Sequence, residues 1–106
     1  MSNWIRACGA QDIEPEDVID VRCGDRQYAI YRSSTDEYFA TDGLCTHQQV
    51  RLADGLVMGH IIECPKHNGR FDYRTGYGQG APISEHLCTY PVKLEAGSVM
   101  VDLGVI

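Results

Sequence analysis

Two short stretches constrain this chain more than any others: Cys45-Thr46-His47 and Cys64-Pro65-Lys66-His67. Each sets one thiol and one imidazole within a few residues of each other, in a segment that reads as loop. Residues 48 to 63 separate the two pairs and hold two short strand signals around a turn at Gly59. A strand pair between two loops brings them to the same end of a sheet, so the loops are expected to face each other. The fold must therefore present two matched loops side by side, each offering one sulfur and one nitrogen.

The rest of the chain reads as short strands with regular turns. Residues 3–7, 17–23, 26–33 and 38–42 alternate or are rich in apolar residues, and Gly24-Asp25 marks a hairpin turn between the second and third. In 26–33, Tyr28 and Ile30 point one way and Ala29 and Tyr31 the other. Residues 69–76 suggest a strand ended at Thr75-Gly76, and 88–106 two strands around Ala96-Gly97. No segment keeps a helical apolar period over three turns; Pro15–Asp20 allows one helical turn at most. The expected class is all-β: an antiparallel sandwich or partly open barrel, as a single domain over 1–106 with the loop subdomain at about 43–82.

Composition excludes several functions. Nine basic and fifteen acidic residues give a net charge of −6, which disfavours a phosphate backbone and hence nucleic acid. Trp4, Tyr28, Tyr31, Phe39 and Tyr90 accompany no basic stripe and read as sheet packing rather than a base-stacking platform. No run of apolar residues is long enough for a membrane span, and MSNWIRACGA lacks a signal-peptide core. A cytoplasmic protein is expected. Cys8, Cys23 and Cys88 are taken as small apolar fillers, His60 and His86 as surface residues, and Phe71 and Tyr73 as packing beside the ligand loops.

Cysteine with histidine at such spacing in a reducing compartment points to metal rather than to disulfides. A Cys2His2 set can hold zinc tetrahedrally. Zinc fingers, however, usually draw both cysteines from one knuckle and both histidines from a helix. The interleaved Cys-His, Cys-His order suits a two-iron cluster better, with both cysteines on one iron and both histidines on the other. A zinc-binding interaction module stays open as the alternative.

C-x-H, sixteen residues and C-x-x-H, with LADG, IECPKHNGRFDYRTG and a following GAP, resembles the Rieske [2Fe–2S] proteins over nearly the whole chain. Within that family it is similar to small ferredoxins of bacterial oxygenase systems, aromatic-ring-hydroxylating or rhizopine-type. The resemblance implies a Rieske cluster with Cys45 and Cys64 on one iron and His47 and His67 on the other. It implies electron exit at the histidines and a covering loop at Gly80-Ala81-Pro82. It further implies a monomeric one-electron carrier, not an enzyme. Its partners would be an NAD(P)H-dependent flavoprotein reductase and a terminal Rieske non-haem iron oxygenase.

Two departures bear on the potential. Quinol-oxidising relatives carry a disulfide between the two loops, where this chain has Val50 and Lys66. They also place hydroxyl donors where this chain has Gly69 and Phe71. Each missing donor removes stabilisation of the reduced, more negative cluster. The expected reduction potential lies toward the lower end of roughly −150 to +300 mV. Redox titration checks this, and a value well above zero contradicts it.

Overall fold

The computed structural model describes residues 2–46, 50–66, 69–79 and 86–104. Its strands are β1 (Trp4–Gly9), β2 (Asp17–Cys23), β3 (Arg26–Arg32), β4 (Tyr38–Asp42), β5 (Leu56–Met58), β6 (Ile61–Glu63), β7 (Arg70–Asp72), β8 (Thr89–Tyr90), β9 (Val92–Glu95) and β10 (Ser98–Asp102). They form three antiparallel sheets, ordered β1-β10-β9, β2-β3-β4-β8 and β5-β6-β7. The all-β antiparallel class is as the sequence indicates. The sheets are not closed into a barrel.

Four consecutive residues of β3, Tyr28 to Tyr31, are buried, so this strand has protein on both faces. Ala29 and Tyr31 join a core with Leu52, Val57, Ile62, Phe71, Tyr73 and both cysteines of the paired loops. Tyr28 and Ile30 join a second core with Cys8, Ile13, Val99 and Val101. The alternation read from the sequence is therefore correct. What it left open is that the polar side expected of a simple hairpin is absent. The β2–β4 sheet is a shared middle layer, with the β5–β7 sheet on one face and the β1-β10-β9 sheet on the other.

Turn chemistry sets the connections. Gly24 at φ 62° and Gly59 at φ 61° turn the β2–β3 and β5–β6 hairpins. Glu16 takes φ 57° just before β2, so the chain enters the strand by a tight turn and the one helical turn that the sequence allows there does not form. The C-terminal region holds three strands rather than two. Pro91 has no N–H to extend the β4–β8 ladder, and the chain crosses there from the middle sheet to an outer one. Two 3₁₀ turns, Ala10–Asp12 and Leu52–Asp54, were not foreseen. Each is too short to show an apolar period.

The buried hydroxyls are satisfied. Tyr31 Oη lies 2.8 Å from Thr41 Oγ1, and Tyr73 Oη donates to the Gly59 carbonyl at 2.8 Å. The two rings stack with centroids 4.4 Å apart and planes within 5°, joining the middle sheet to the β5–β7 sheet. His60 sits in the β5–β6 turn as expected, with 34% of its side chain exposed. Its ring meets Phe39 and Tyr73, and its Nε2 is buried 3.8 Å from Glu37 Oε1. Cys88 is exposed rather than a filler, whereas Cys8 is buried as expected.

Burial raises the Tyr73 phenol to about 12 and lifts Tyr31 and Tyr90 further, Asp42 adding to the effect at Tyr90. The unfolded chain ionises near the ordinary tyrosine value of about 10. A raised folded value contributes stability in full below the unfolded value and loses it as pH climbs through the folded one. Stability should therefore fall steeply between about pH 10 and 12, followed by circular dichroism alongside tyrosinate absorbance, and Tyr31→Phe should shallow that fall. A second outcome concerns Gly55, where a Cβ would sit 2.0 Å from the Glu63 carbonyl oxygen. Gly55→Ala should destabilise by about 1–3 kcal/mol in urea unfolding. Gly24→Ala, with nothing within 4 Å, should cost less despite its positive φ.

Candidate metal centre

The two loops are built alike. β4 runs into Gly43, whose N–H donates to the Gln27 carbonyl at 2.9 Å and whose carbonyl accepts from Leu52 N–H at 2.9 Å. A Cβ at Gly43 would meet the Gln27 carbonyl carbon at 2.9 Å, so glycine alone fits this approach. Cys45 N–H then donates to the Val50 carbonyl at 2.9 Å, and Leu44 pairs with Arg51. In the second loop Cys64 N–H donates to the Gly69 carbonyl at 2.6 Å, and Glu63 pairs with Arg70 across β6 and β7. In both, the cysteine sits at the neck and donates its amide to the residue that closes the loop.

This construction buries both thiols completely, Cys45 at 0% and Cys64 at 1% exposure. The Cys45 thiol is within hydrogen-bonding reach of the Cys64 sulfur, which also accepts the Lys66 N–H. Burial pushes the Cys64 thiol up to about 11; the Lys66 amide works against this, and the Cys45 thiol adds to it. Two adjacent buried thiols ionise together only if a cation compensates them. The pair thus fits a thiophilic metal. None of the five cysteines forms a disulfide. Val50 packs on the core while Lys66 is exposed.

Of the residues expected from the sequence, Cys45 and Cys64 are brought together. His47 and His67 lie outside the described residues, as do Gly80, Ala81 and Pro82 of the expected covering loop. Among the described residues no group of three or more His, Cys, Asp or Glu side chains is placed to hold a metal ion. The chain leading toward the covering loop adds to the edge of β7, through Gln79 N–H to the Arg70 carbonyl at 2.8 Å and a Phe71–Gly78 bridge. Phe71 is fully buried beneath the second loop, as expected of a packing residue. His86 stays exposed, its Nδ1 accepting the Gly78 N–H at 3.0 Å.

Sequence reasoning missed the support of the first loop. Arg51 donates to Asp54 through Nε and Nη2 at 3.2 and 3.0 Å, and its Nη1 lies 3.9 Å from Asp20 on β2. The only sequence signal was charge: one arginine within a ligand loop and one aspartate at an otherwise alternating strand position.

The Rieske [2Fe-2S] domain model matches residues 3–91. The chain is 45% identical over 100 residues to the ferredoxin component of the naphthalene 1,2-dioxygenase system of Pseudomonas putida, covering 94% of this chain and 95% of that protein. Among solved structures, the Sphingomonas yanoikuyae B1 ferredoxin superposes with a TM-score of 0.87 at 36% identity, covering 96% of this chain and 100% of that one. A chain in the complex of reduced oxygenase and oxidized ferredoxin in carbazole 1,9a-dioxygenase gives a TM-score of 0.86 at 34% identity, covering 93% and 92%. Two loops of like construction that meet at a buried pair of thiols, in a chain matched along nearly its full length, place this protein in the Rieske [2Fe-2S] domain family, whose cofactor is a Rieske-type [2Fe–2S] cluster.

Proposed function

We propose that this chain is the electron-carrying ferredoxin component of an oxygenase system that acts on aromatic rings. The observation that carries the reading is the meeting of Cys45 and Cys64, fully buried, at the necks of two matched loops. The curated relative named above is itself a ferredoxin component, and one solved neighbour comes from a ferredoxin–oxygenase complex. In this reading Cys45 and Cys64 hold one iron, His47 and His67 hold the other, and Gly80-Ala81-Pro82 cover the site. When bound, the cluster supplies one-electron oxidation and reduction with no covalent bond to substrate.

The chain's own residues then have three tasks. Cys45 and Cys64 grip from the core side, where Leu52, Phe71 and Tyr73, each fully buried, keep water from the thiolates. The Lys66 amide donates to the Cys64 sulfur and so stabilises negative charge there. The net charge of −6 steers the protein to basic surfaces on its partners, a flavoprotein reductase as donor and a terminal oxygenase as acceptor. Such docking is brief and salt-dependent, as a carrier that must leave after each electron requires. Five free cysteines and a donor chain starting from NAD(P)H fit a monomer working in the cytoplasm.

Electron paramagnetic resonance of the dithionite-reduced protein tests this, together with redox titration of His67→Cys. The expected spectrum is rhombic with an average g below the free-electron value. The expected shift in the variant is downward, toward the about −400 mV of plant-type all-cysteine ferredoxins. A silent spectrum from reduced protein with its full iron content overturns the cluster. An unmoved potential in a variant that keeps its cluster removes His67 as a ligand.

A further inference from the structure

The two ligand loops are closed alike but secured differently. Across the second neck, Arg70 Nε donates to Glu63 Oε2 at 2.8 Å, so that loop carries its own ion pair. The first neck has no such internal pair among the described residues. Its cation, Arg51, reaches out of the loop. The bidentate contact with Asp54 is local, because Asp54 belongs to the 3₁₀ turn that directly follows Arg51. The contact with Asp20 is not, because Asp20 lies in the middle of β2.

Both arms of the neck converge on that point. On the returning arm, Arg51 Nη1 stands 3.9 Å from Asp20 Oδ2. On the outgoing arm, Gly43 N–H donates to the Gln27 carbonyl, and the Gln27 side chain donates through Nε2 to the same Asp20 Oδ2 at 3.4 Å. The Asp20 side chain is only 14% exposed. Its Oδ1 is buried without a hydrogen-bond partner among the described residues. A carboxylate with one oxygen buried and unbonded is expensive to keep. A serine or alanine at this place would fill the strand without that penalty.

We propose that Asp20 is a positioning residue for the first ligand loop, acting through Arg51 and Gln27 to fix the neck that presents Cys45. This rests on the reading of Cys45 as a cluster ligand. The tether is a long ion pair with a half-exposed arginine, and such pairs contribute little to global stability. Its effect belongs to the loop and its cluster rather than to unfolding of the whole domain.

The test uses the cluster-bearing protein with Asp20→Asn, Arg51→Gln, both together, and Asp54→Asn. Two quantities are read: the rate at which visible absorbance bleaches in excess EDTA, and the g-values of the reduced state. Asp20→Asn and Arg51→Gln should each speed bleaching about threefold and alter the g-values. The double variant should fall short of the combined single effects, since the Asp20–Arg51 contact is lost in both. Asp54→Asn should have the smaller effect, and Arg51→Lys should recover part of the loss. Unchanged bleaching and spectra in Asp20→Asn, or additive effects in the double variant, overturn the proposal. Should Asp20→Asn not fold, Arg51→Gln on its exposed side chain decides alone, and wild-type behaviour there is fatal. Cys45→Ser separates the two readings: a cluster that survives it refutes the ligand assignment, whereas its loss beside a silent Asp20→Asn refutes only the positioning role.

Discussion

Two thiolates buried side by side are stable only with a cation to join them, and much of this fold serves to hold Cys45 and Cys64 together in that position. Cys45 and Cys64 come from loops that are distant in sequence. Each leaves its strand with the same amide-to-carbonyl closure, to Val50 in one case and to Gly69 in the other. The β5–β6 hairpin between them makes the two necks neighbours, and Leu52, Phe71 and Tyr73 fill the space behind the sulfurs. A thiolate pair in such surroundings favours a bound cation strongly, because water is not present to share the charge.

The middle sheet links that site to the rest of the protein. Tyr31 stacks on Tyr73, so the same ring contact belongs to the middle sheet and to the cluster that buries Cys45 and Cys64. Gly43 presses against the Gln27 backbone with no room for a Cβ, and Gly55 meets the Glu63 carbonyl in the same way. These are steric limits on how the two loops approach their supports. They suit a carrier, since small rearrangement between oxidation states requires a site that is already fixed.

Where the sequence reading and the structure part, the cause is tertiary in each case. His60 is the turn residue it was read as, but the β5–β6 hairpin also packs on the middle sheet and carries one side of the imidazole against Phe39 and Tyr73. Cys88 looked like a filler by composition, but the segment before β8 leaves it exposed. The third strand of the C-terminal region was hidden because Pro91 sends the chain from one sheet to another instead of continuing a ladder. Asp20 and Arg51 are 31 positions apart by their numbers, and no local pattern couples them. Only the folding of the first loop onto β2 brings them within reach.

The sequence by itself determined the strands of the hairpins, the alternation of Tyr28 and Ile30 against Ala29 and Tyr31, and the two matched stretches that each carry a cysteine. These follow from residue type and near-neighbour spacing, which act within a few residues of the chain. Only the tertiary structure decided that β3 is buried on both faces, that Cys45 and Cys64 are buried in one cluster, and that Asp20 underlies the first neck. Those facts depend on which surfaces are covered by distant segments, and burial of that kind is a property of the assembled sheets rather than of any stretch of residues.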